Sequence, residues 1–121
     1  MEYMQVNRAN GRAANELRPV KLTRGVMKHA HGSCLAEFGD TCVLCAATIE
    51  EACRAGERRQ GRLGVTAEYA MLPASTGKRC KREHANRKGR SMEIECLIGR
   101  SLRTVVNMKR SASNTVTVDC D

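Results

Sequence analysis

Five segments of the chain show the alternation of apolar and polar residues, or the short apolar run, that predicts a β-strand. They are Val20–Thr23, Cys34–Phe38, Cys42–Ile49, Gly64–Tyr69 and Thr115–Cys120. Gly39 and Asp40 separate the second segment from the third and predict a tight hairpin turn between them. The third segment is almost entirely apolar, so we expect a central strand that is buried on both faces.

One amphipathic helix is predicted between the fourth strand and the fifth. Ser91 is a favourable N-cap residue, and Glu93 and Glu95 would then lie in the first turn, where carboxylates suit the helix dipole. Lys109 and Arg110 would lie at the opposite end, which suits the dipole equally. The apolar stripe, at spacings of three and four, consists of Ile94, Leu97, Ile98, Leu102, Val105 and Val106.

The length of 121 residues fits one domain, which can bury about 65% of the surface of the unfolded chain. Residues 1–17 are mostly polar and contain three asparagines and one glycine, so we expect an irregular leader before a domain over residues 18–121. With one Phe, two Tyr and no Trp, the core must come from aliphatic side chains, methionine and cysteine. Marginal stability is therefore expected.

No segment is long and apolar enough to cross a membrane, and the first residues lack the apolar region of an export signal. The seven cysteines are therefore interpreted as reduced thiols of a cytoplasmic protein. Cys42 and Cys45 have the spacing of a zinc or redox motif, but residues three apart on a strand face opposite sides. His29 and His31 have no thiol or carboxylate convincingly beside them. No metal site is predicted from these residues.

The chain carries a formal net charge of +8, from 21 Lys and Arg against 13 Asp and Glu. Such an excess favours a polyanionic partner, and RNA is the partner we expect. Two basic stretches, residues 54–62 and 78–90, are either solvated faces or footprints on an RNA backbone, and we favour the footprints. The candidate RNA-binding residues are Arg54, Arg58, Arg59, Arg62, Lys78, Arg79, Lys81, Arg82, Arg87 and Lys88.

Short motifs follow one another in a fixed order from Gly11 to the end of the chain. They include Glu16-Leu17-Arg18-Pro19-Val20, Glu37-Phe38-Gly39-Asp40-Thr41, Ala47-Thr48-Ile49-Glu50-Glu51, Val65-Thr66-Ala67-Glu68-Tyr69, Met71-Leu72-Pro73, Leu97-Ile98-Gly99-Arg100-Ser101-Leu102-Arg103 and Val118-Asp119-Cys120-Asp121. In this order the motifs resemble the ribonuclease PH family over almost the whole chain.

The resemblance implies an α+β fold like that of ribosomal protein S5 domain 2, cut after its first long helix and the strand that follows. It implies a phosphate-dependent 3′-to-5′ exoribonuclease that trims the 3′ ends of tRNA precursors and releases nucleoside diphosphates. Inorganic phosphate would be the co-substrate, magnesium is a further expected ion, and family subunits assemble as rings. Arg90 matches the arginine that binds phosphate just before the long helix of the family.

Several departures from the family pattern bear on activity. The family continues past the strand that here ends at Asp121 into a Gly-Gly-Thr-Arg phosphate loop and a later aspartate pair. We therefore predict no catalytic residue in this chain and expect the isolated chain to be inactive. Gly64 replaces an aromatic residue of the family, and Ala74 replaces an arginine. The alternatives are a non-catalytic RNA-binding or ring-assembly subunit, as in exosome-type rings, and a non-functional remnant.

Overall fold

A mixed β-sheet with one helix against it makes up the described part of the chain. The computed structural model describes residues 8–51, 64–82, 89–107 and 114–121. A short 3-10 helix, Ala9–Gly11, precedes the sheet. The longer elements are β1 (Val20–Arg24), β2 (Gly32–Phe38), β3 (Thr41–Glu51), β4 (Gly64–Tyr69), α1 (Gly89–Arg103) and β5 (Asn114–Cys120).

The last strand, β5, lies inside the sheet rather than at its edge. The strand order is β1-β2-β3-β5-β4. All neighbours are antiparallel except β4 and β5, which run parallel. A parallel pair needs a crossover connection, and α1 is part of that connection. The five predicted strands and the one helix are all present.

Gly39 and Asp40 form the two-residue turn between β2 and β3, so the predicted hairpin is confirmed. Phe38 and Thr41 are paired across the turn, and Gly39 has a φ of 61°. Glycine with a positive φ at the first central position is typical of the II′ turn, whose twist matches that of the strands. The Arg18 guanidinium donates to Oγ1 of Thr41 at 2.9 Å, which ties the segment before β1 to this turn.

The register gives the sheet one apolar face and one mostly polar face, because directly opposed residues on neighbouring strands point to the same side. The apolar face carries Val20, Leu22, Cys34, Ala36, Phe38, Val43, Cys45, Ala47, Ile49, Val65, Ala67, Tyr69, Val116, Val118 and Cys120, with the polar residues Arg24, Thr41, Glu51 and Asn114 at strand ends. The polar face carries Lys21, Thr23, Glu37, Cys42, Thr48, Glu50, Thr66, Glu68, Thr117 and Asp119, together with Leu35 and Leu44. Cys42 and Cys45 thus lie on opposite faces, as predicted.

The helix α1 packs along β4 and is held there by two hydrogen bonds. The backbone N–H of Tyr69 donates to Oε1 of Glu95 at 3.1 Å, and Nη2 of Arg103 donates to the carbonyl of Val65 at 2.8 Å. Among the apolar residues that the structure describes, Val65 (3% exposed) and Cys120 (5% exposed) are the two that are buried. The core is therefore small and lies between β4, β5 and α1.

The apolar face stays open to solvent across β1, β2 and part of β3. Val20 is 48% exposed, Leu22 63%, Phe38 40% and Ile49 45%. Among the described elements, α1 contacts the sheet at β4, and its Leu102 borders an open cavity of about 550 Å³ over the apolar face of the other strands. The prediction that the third strand is buried on both faces is therefore wrong: β3 is central, but none of its residues is buried. An apolar run shows what a strand needs to bury, and the covering layer must come from elsewhere.

The helix begins earlier and ends earlier than its sequence pattern predicts. It starts at Gly89, so Ser91 is not its N-cap; Ser91 lies in the first turn and is 3% exposed. The first turn contains no acidic residue, and the last turn contains Arg100 and Arg103. Val105, 78% exposed, lies beyond the helix end, whereas Lys109 and Arg110 lie outside the described residues. The preference of Ser91 for a cap position is therefore not used in this fold.

The segment before β1 is held by local hydrogen bonds. Nη1 of Arg8 donates to the carbonyls of Ala13 and Glu16 at 3.2 and 2.8 Å, and the Ala13 N–H donates to Oε2 of Glu16 at 3.0 Å. The division of the chain into a leader and a domain at residue 17 stays a prediction. Within the part of the chain described by the structure, no helix has the length and apolar character needed to cross a membrane.

We expect Val65→Ala to lower the free energy of unfolding by about 2 kcal/mol, because it removes buried methyl groups from the small core. The matched control is Val20→Ala, which makes the same chemical change at a position that is 48% exposed. It should cost less than about 0.5 kcal/mol. Urea unfolding followed by circular dichroism measures both values. Equal losses at the two positions would contradict the described core.

Candidate nucleic-acid interface

The carboxyl ends of β4 and β5 lie side by side, because these two strands run parallel, and they form one edge of the sheet that runs across the strand ends. The amino end of α1 reaches the same edge, since Glu95 in its second turn accepts the hydrogen bond from the Tyr69 N–H. A strand end, a second strand end and a helix start therefore converge there. Convergent ends of this kind are where α/β proteins place their functional side chains.

Arg90 lies in the first turn of α1 and is exposed. Its Nη1 lies 3.7 Å from Sδ of Met71, a weak contact between the start of the helix and the segment after β4. A cation in the first turn opposes the helix dipole, so this position does nothing for the helix itself. Backbone N–H groups at a helix start and an adjacent guanidinium both favour an anion.

A short ordered loop follows β4 and carries four exposed cations. The Ser75 N–H donates to the Leu72 carbonyl at 3.0 Å, and the Cys80 N–H donates to the Pro73 carbonyl at 2.8 Å. The Thr76 hydroxyl donates to the Lys78 carbonyl at 2.6 Å. These bonds give the loop a defined shape. Its exposed cations are Lys78, Arg79, Lys81 and Arg82.

The structure places part of the predicted RNA-binding set. Lys78, Arg79, Lys81 and Arg82 lie on the loop after β4, at the edge where Arg90 also lies. The remaining candidates are outside the described residues and stay predictions. They are Arg54, Arg58, Arg59, Arg62, Arg87 and Lys88.

A cavity of about 360 Å³ opens at the carboxyl ends of β4 and β5. Its lining includes Glu68, Tyr69, Asp119 and Asp121. Glu68 and Asp119 are direct partners across the parallel strands, so their carboxylates share the polar face. Three carboxylates disfavour an anion inside this cavity, and phosphate groups fit the cationic loop beside it better. Alternation along β5 relates Asp119 to Asp121, but Glu68 joins them through strand pairing, which no local pattern in the sequence reveals.

A metal site is not formed by the carboxylates at this edge. Among the described residues, no group of three or more histidine, cysteine or carboxylate side chains could hold an ion. The donor set that magnesium prefers is made of several oxygen ligands around one point. Magnesium therefore stays a prediction, and we route no chemistry through it.

Cys120 is the buried group at this edge. Burial, followed by the neighbouring Cys45 and then the carboxylates of Asp119 and Asp121, raises the pKa of the Cys120 thiol from 9.0 to about 12. The thiolate would have to sit in an apolar site beside two negative charges, which is why the protonated form is favoured. At neutral pH Cys120 is therefore protonated, and its sulfur can act as a nucleophile only after it loses that proton.

Solved structures with the same fold identify the class of protein to which this sheet belongs. Rice (Oryza sativa) Rrp46 superposes with a TM-score of 0.73 at 27% identity, over 94% of this chain and 50% of that one. The Archaeoglobus fulgidus exosome with RNA bound to the active site gives 0.73 at 25% identity, over 95% of this chain and 47% of that one. The fold is thus the α+β fold of exosome-type subunits related to ribonuclease PH, and the fold implied by the resemblance is confirmed.

Sequence comparison gives the family. Residues 16–121 match the model of the 3′ exoribonuclease family, domain 1, and the chain belongs to this family. Ribonuclease PH of Brucella ovis is 54% identical over 116 residues, which are 94% of this chain and 49% of that protein. Ribonuclease PH of Brucella abortus gives the same values. The chain thus spans about half the length of the curated relatives it matches.

We expect stability to fall as the pH rises from 9 towards 12, because the pKa of Cys120 is raised in the folded state. Below pH 9 the thiol is protonated in both states, so its contribution is fully present there. Between the two pKa values the unfolded chain loses the proton and the folded chain keeps it, which favours unfolding. Urea midpoints across this range should fall less steeply in Cys120→Ala. An equal slope in the variant would contradict the assignment to Cys120.

Proposed function

We propose that the chain is the first domain of a cytoplasmic, phosphate-dependent 3′-to-5′ exoribonuclease that trims tRNA precursors. The observation that carries the proposal is the exposed guanidinium of Arg90 in the first turn of α1, next to the cationic loop after β4. Two comparisons support it: the 54% identity to Ribonuclease PH of Brucella ovis, and the fold shared with an exosome that has RNA bound to its active site.

The proposed reaction transfers the terminal nucleotide of the RNA to inorganic phosphate. A phosphate oxygen attacks the phosphorus of the last phosphodiester, and the bond from phosphorus to the 3′ oxygen of the preceding nucleotide breaks. The 3′ oxygen takes the electron pair and a proton, so the products are a nucleoside diphosphate and an RNA shorter by one nucleotide. Two anions must approach each other, and Arg90 would offset that charge at the attacking phosphate.

The loop after β4 would position the RNA strand. Its four exposed cations can neutralise phosphates of a single strand without reading bases, so binding should depend on salt and little on sequence. Aromatic stacking contributes little here, because Tyr69 is the one aromatic side chain described near the loop.

The isolated chain is expected to bind its ligands but to release no product. Only two of the apolar side chains described are buried, and the apolar face across β1 and β2 is open. A site built on so small a core holds its groups less firmly than catalysis requires, since reacting groups need tight positioning. Activity of the family would then depend on further protein that covers this face.

A second candidate function is a non-catalytic RNA-binding or ring-assembly subunit. The open apolar face favours it, because such a face is stable in solution when another protein surface covers it. The archaeal exosome core, with a TM-score of 0.70, adds a likeness of fold alone at 20% identity. RNA binding without phosphate-dependent release would separate this candidate from the first, and loss of both would indicate a remnant.

We expect Arg90→Ala to weaken the binding of inorganic phosphate by about tenfold or more, because it removes a charge-assisted hydrogen-bond donor. Arg100→Ala is the matched control: Arg100 is exposed on the same helix, but it lies in the last turn. Calorimetric titration with phosphate measures both affinities, and circular dichroism checks the fold.

The same variants are then incubated with a 3′-extended tRNA, with and without inorganic phosphate, and nucleoside diphosphates are measured. We expect no release from the isolated chain. Release that requires phosphate and is lost in Arg90→Ala would overturn the expected inactivity and support the phosphate role. Phosphate binding that is equal in Arg90→Ala and Arg100→Ala would remove Arg90 from the site.

We expect the double variant Lys81→Ala, Arg82→Ala to weaken RNA binding and to flatten its salt dependence by about 1.4 in the log–log slope. Each lost phosphate contact to a single strand changes the slope by about 0.7. The control is Lys21→Ala, Arg24→Ala, which removes two exposed cations from β1 at the other edge of the sheet. Fluorescence anisotropy with a single-stranded RNA at several salt concentrations measures the slopes. Equal slopes in both double variants would mean that the loop faces solvent.

A further inference from the structure

Three cysteines form a row across the apolar face of the sheet. Cys34 on β2 is directly opposite Cys45 on β3, and Cys45 is directly opposite Cys120 on β5. All three are free thiols in this structure. Such a row places Cys45 between two possible partners, and the hydrogen-bond pattern of the sheet distinguishes them.

Cys45 and Cys120 occupy the closer kind of antiparallel pair. The neighbouring pair, Leu44 and Asp121, exchanges both backbone hydrogen bonds, at 2.8 and 2.9 Å. Pairs alternate along an antiparallel ladder, so Cys45 and Cys120 form a non-hydrogen-bonded pair, with Cα atoms about 4.5 Å apart and side chains close. That separation lies within the range of disulfides, about 4.4–6.8 Å. The pairing of Cys34 with Cys45 is of the hydrogen-bonded kind, in which the Cβ atoms are further apart, whereas a disulfide needs Cβ atoms about 3.5–4.5 Å apart.

The two thiols differ in access. Cys120 is 5% exposed, whereas Cys45 is half-buried and lines an open cavity of about 550 Å³ on the apolar face. A reagent can therefore reach Cys45 first, and Cys120 lies beside it on the neighbouring strand. This is the arrangement of an attacking and a resolving thiol.

We propose that Cys45 and Cys120 form a reversible disulfide that links β3 to β5, with a glutathione-type disulfide as the oxidant. The Cys45 thiolate attacks one sulfur of the oxidant, whose S–S bond breaks and releases one glutathione thiol. The Cys120 sulfur, on losing its proton, attacks the Cys45 sulfur of the mixed disulfide and releases the second glutathione. Two protein thiols lose two electrons and two protons, and one glutathione disulfide becomes two glutathione thiols.

The disulfide would link β3 to β5, the strand pair that connects the first three strands with the rest of the described sheet. β1, β2 and β3 contact β4 and α1 through β5, and no other pair of described elements joins them. Cys120 also stands between Asp119 and Asp121, which line the cavity at the candidate interface. The oxidised chain would keep this connection closed and hold both carboxylates in place. The proposal does not rest on the proposed function.

The test incubates the folded chain with oxidised glutathione, blocks the remaining thiols with an alkylating reagent, and maps the disulfides by mass spectrometry. Cleavage by trypsin and a glutamate-specific protease leaves Cys45 on the peptide of residues 38–50 and Cys120 on that of residues 111–121. Cys42 shares the first peptide, so mapping uses Cys42→Ser; Cys42 is exposed on the opposite face. We expect a link between these two peptides.

Two controls make the result decisive. Cys34→Ser should keep the link, and Cys120→Ser should trap Cys45 as its mixed disulfide with glutathione. The reduced chain in denaturant gives the yield for random pairing, and the native yield of the Cys45–Cys120 link must be several-fold higher. Oxidation should also move the urea midpoint upward, and dithiothreitol should reverse the shift. A native yield equal to the random one, or a dominant link from Cys34 to Cys45, would overturn the proposal.

Discussion

The pairing of β5 with β3 is the interaction on which the rest of the described structure depends. Seven opposed pairs, from Cys45 with Cys120 to Glu51 with Asn114, join the two strands. The other edge of β5 binds β4, and α1 rests on β4. The hairpin strands and the β4–α1 unit therefore share one joint, formed by a strand distant in sequence from β3. Joining them costs loop-closure entropy before any contact repays it, so this joint should form late in folding.

Local structure could be predicted from the pattern of apolar and polar residues, whereas the order of the strands could not, and the fold class came from the family resemblance. Alternation identified the five strands, and Gly39-Asp40 identified the hairpin, because both depend on neighbouring residues. The position of β5 between β3 and β4 depends on pairing between distant segments, and no periodicity records it. The predicted burial of β3 was wrong for the same reason. An apolar strand has the composition of a core, but the described residues do not form the layer that would cover it. The helix α1 starts at Gly89, before the predicted cap, and Ser91 is buried in its first turn, which its residue type does not reveal.

The candidate interface combines opposite charges at one edge of the sheet, and each has a separate physical origin. The cations lie on an exposed loop and on the first turn of α1, where solvent and a polyanion can both reach them. The carboxylates of Glu68 and Asp119 lie on the ends of paired strands, which fixes their spacing through the backbone. Arg90 was identified through the family resemblance, since its residue type alone predicts only an ordinary surface cation. The structure adds its surroundings: an exposed guanidinium beside an ordered cationic loop and close to a carboxylate-lined cavity.

The strand β5 connects the open apolar face with the candidate interface. Val116, Val118 and Cys120 of this strand point to the apolar face, while Asp119 points to the other side. A strand is stiff over so short a length, so whatever packs on the apolar side also sets the position of the carboxylate on the polar side. A protein surface that covered Val20, Leu22 and Phe38 would bury apolar area that is now exposed and would lower the free energy of the whole sheet. Because β3 and β5 are paired over seven positions, covering the apolar face should also stabilise β5 and the carboxylate of Asp119 that it carries. Assembly with another protein surface should therefore make the candidate interface more ordered.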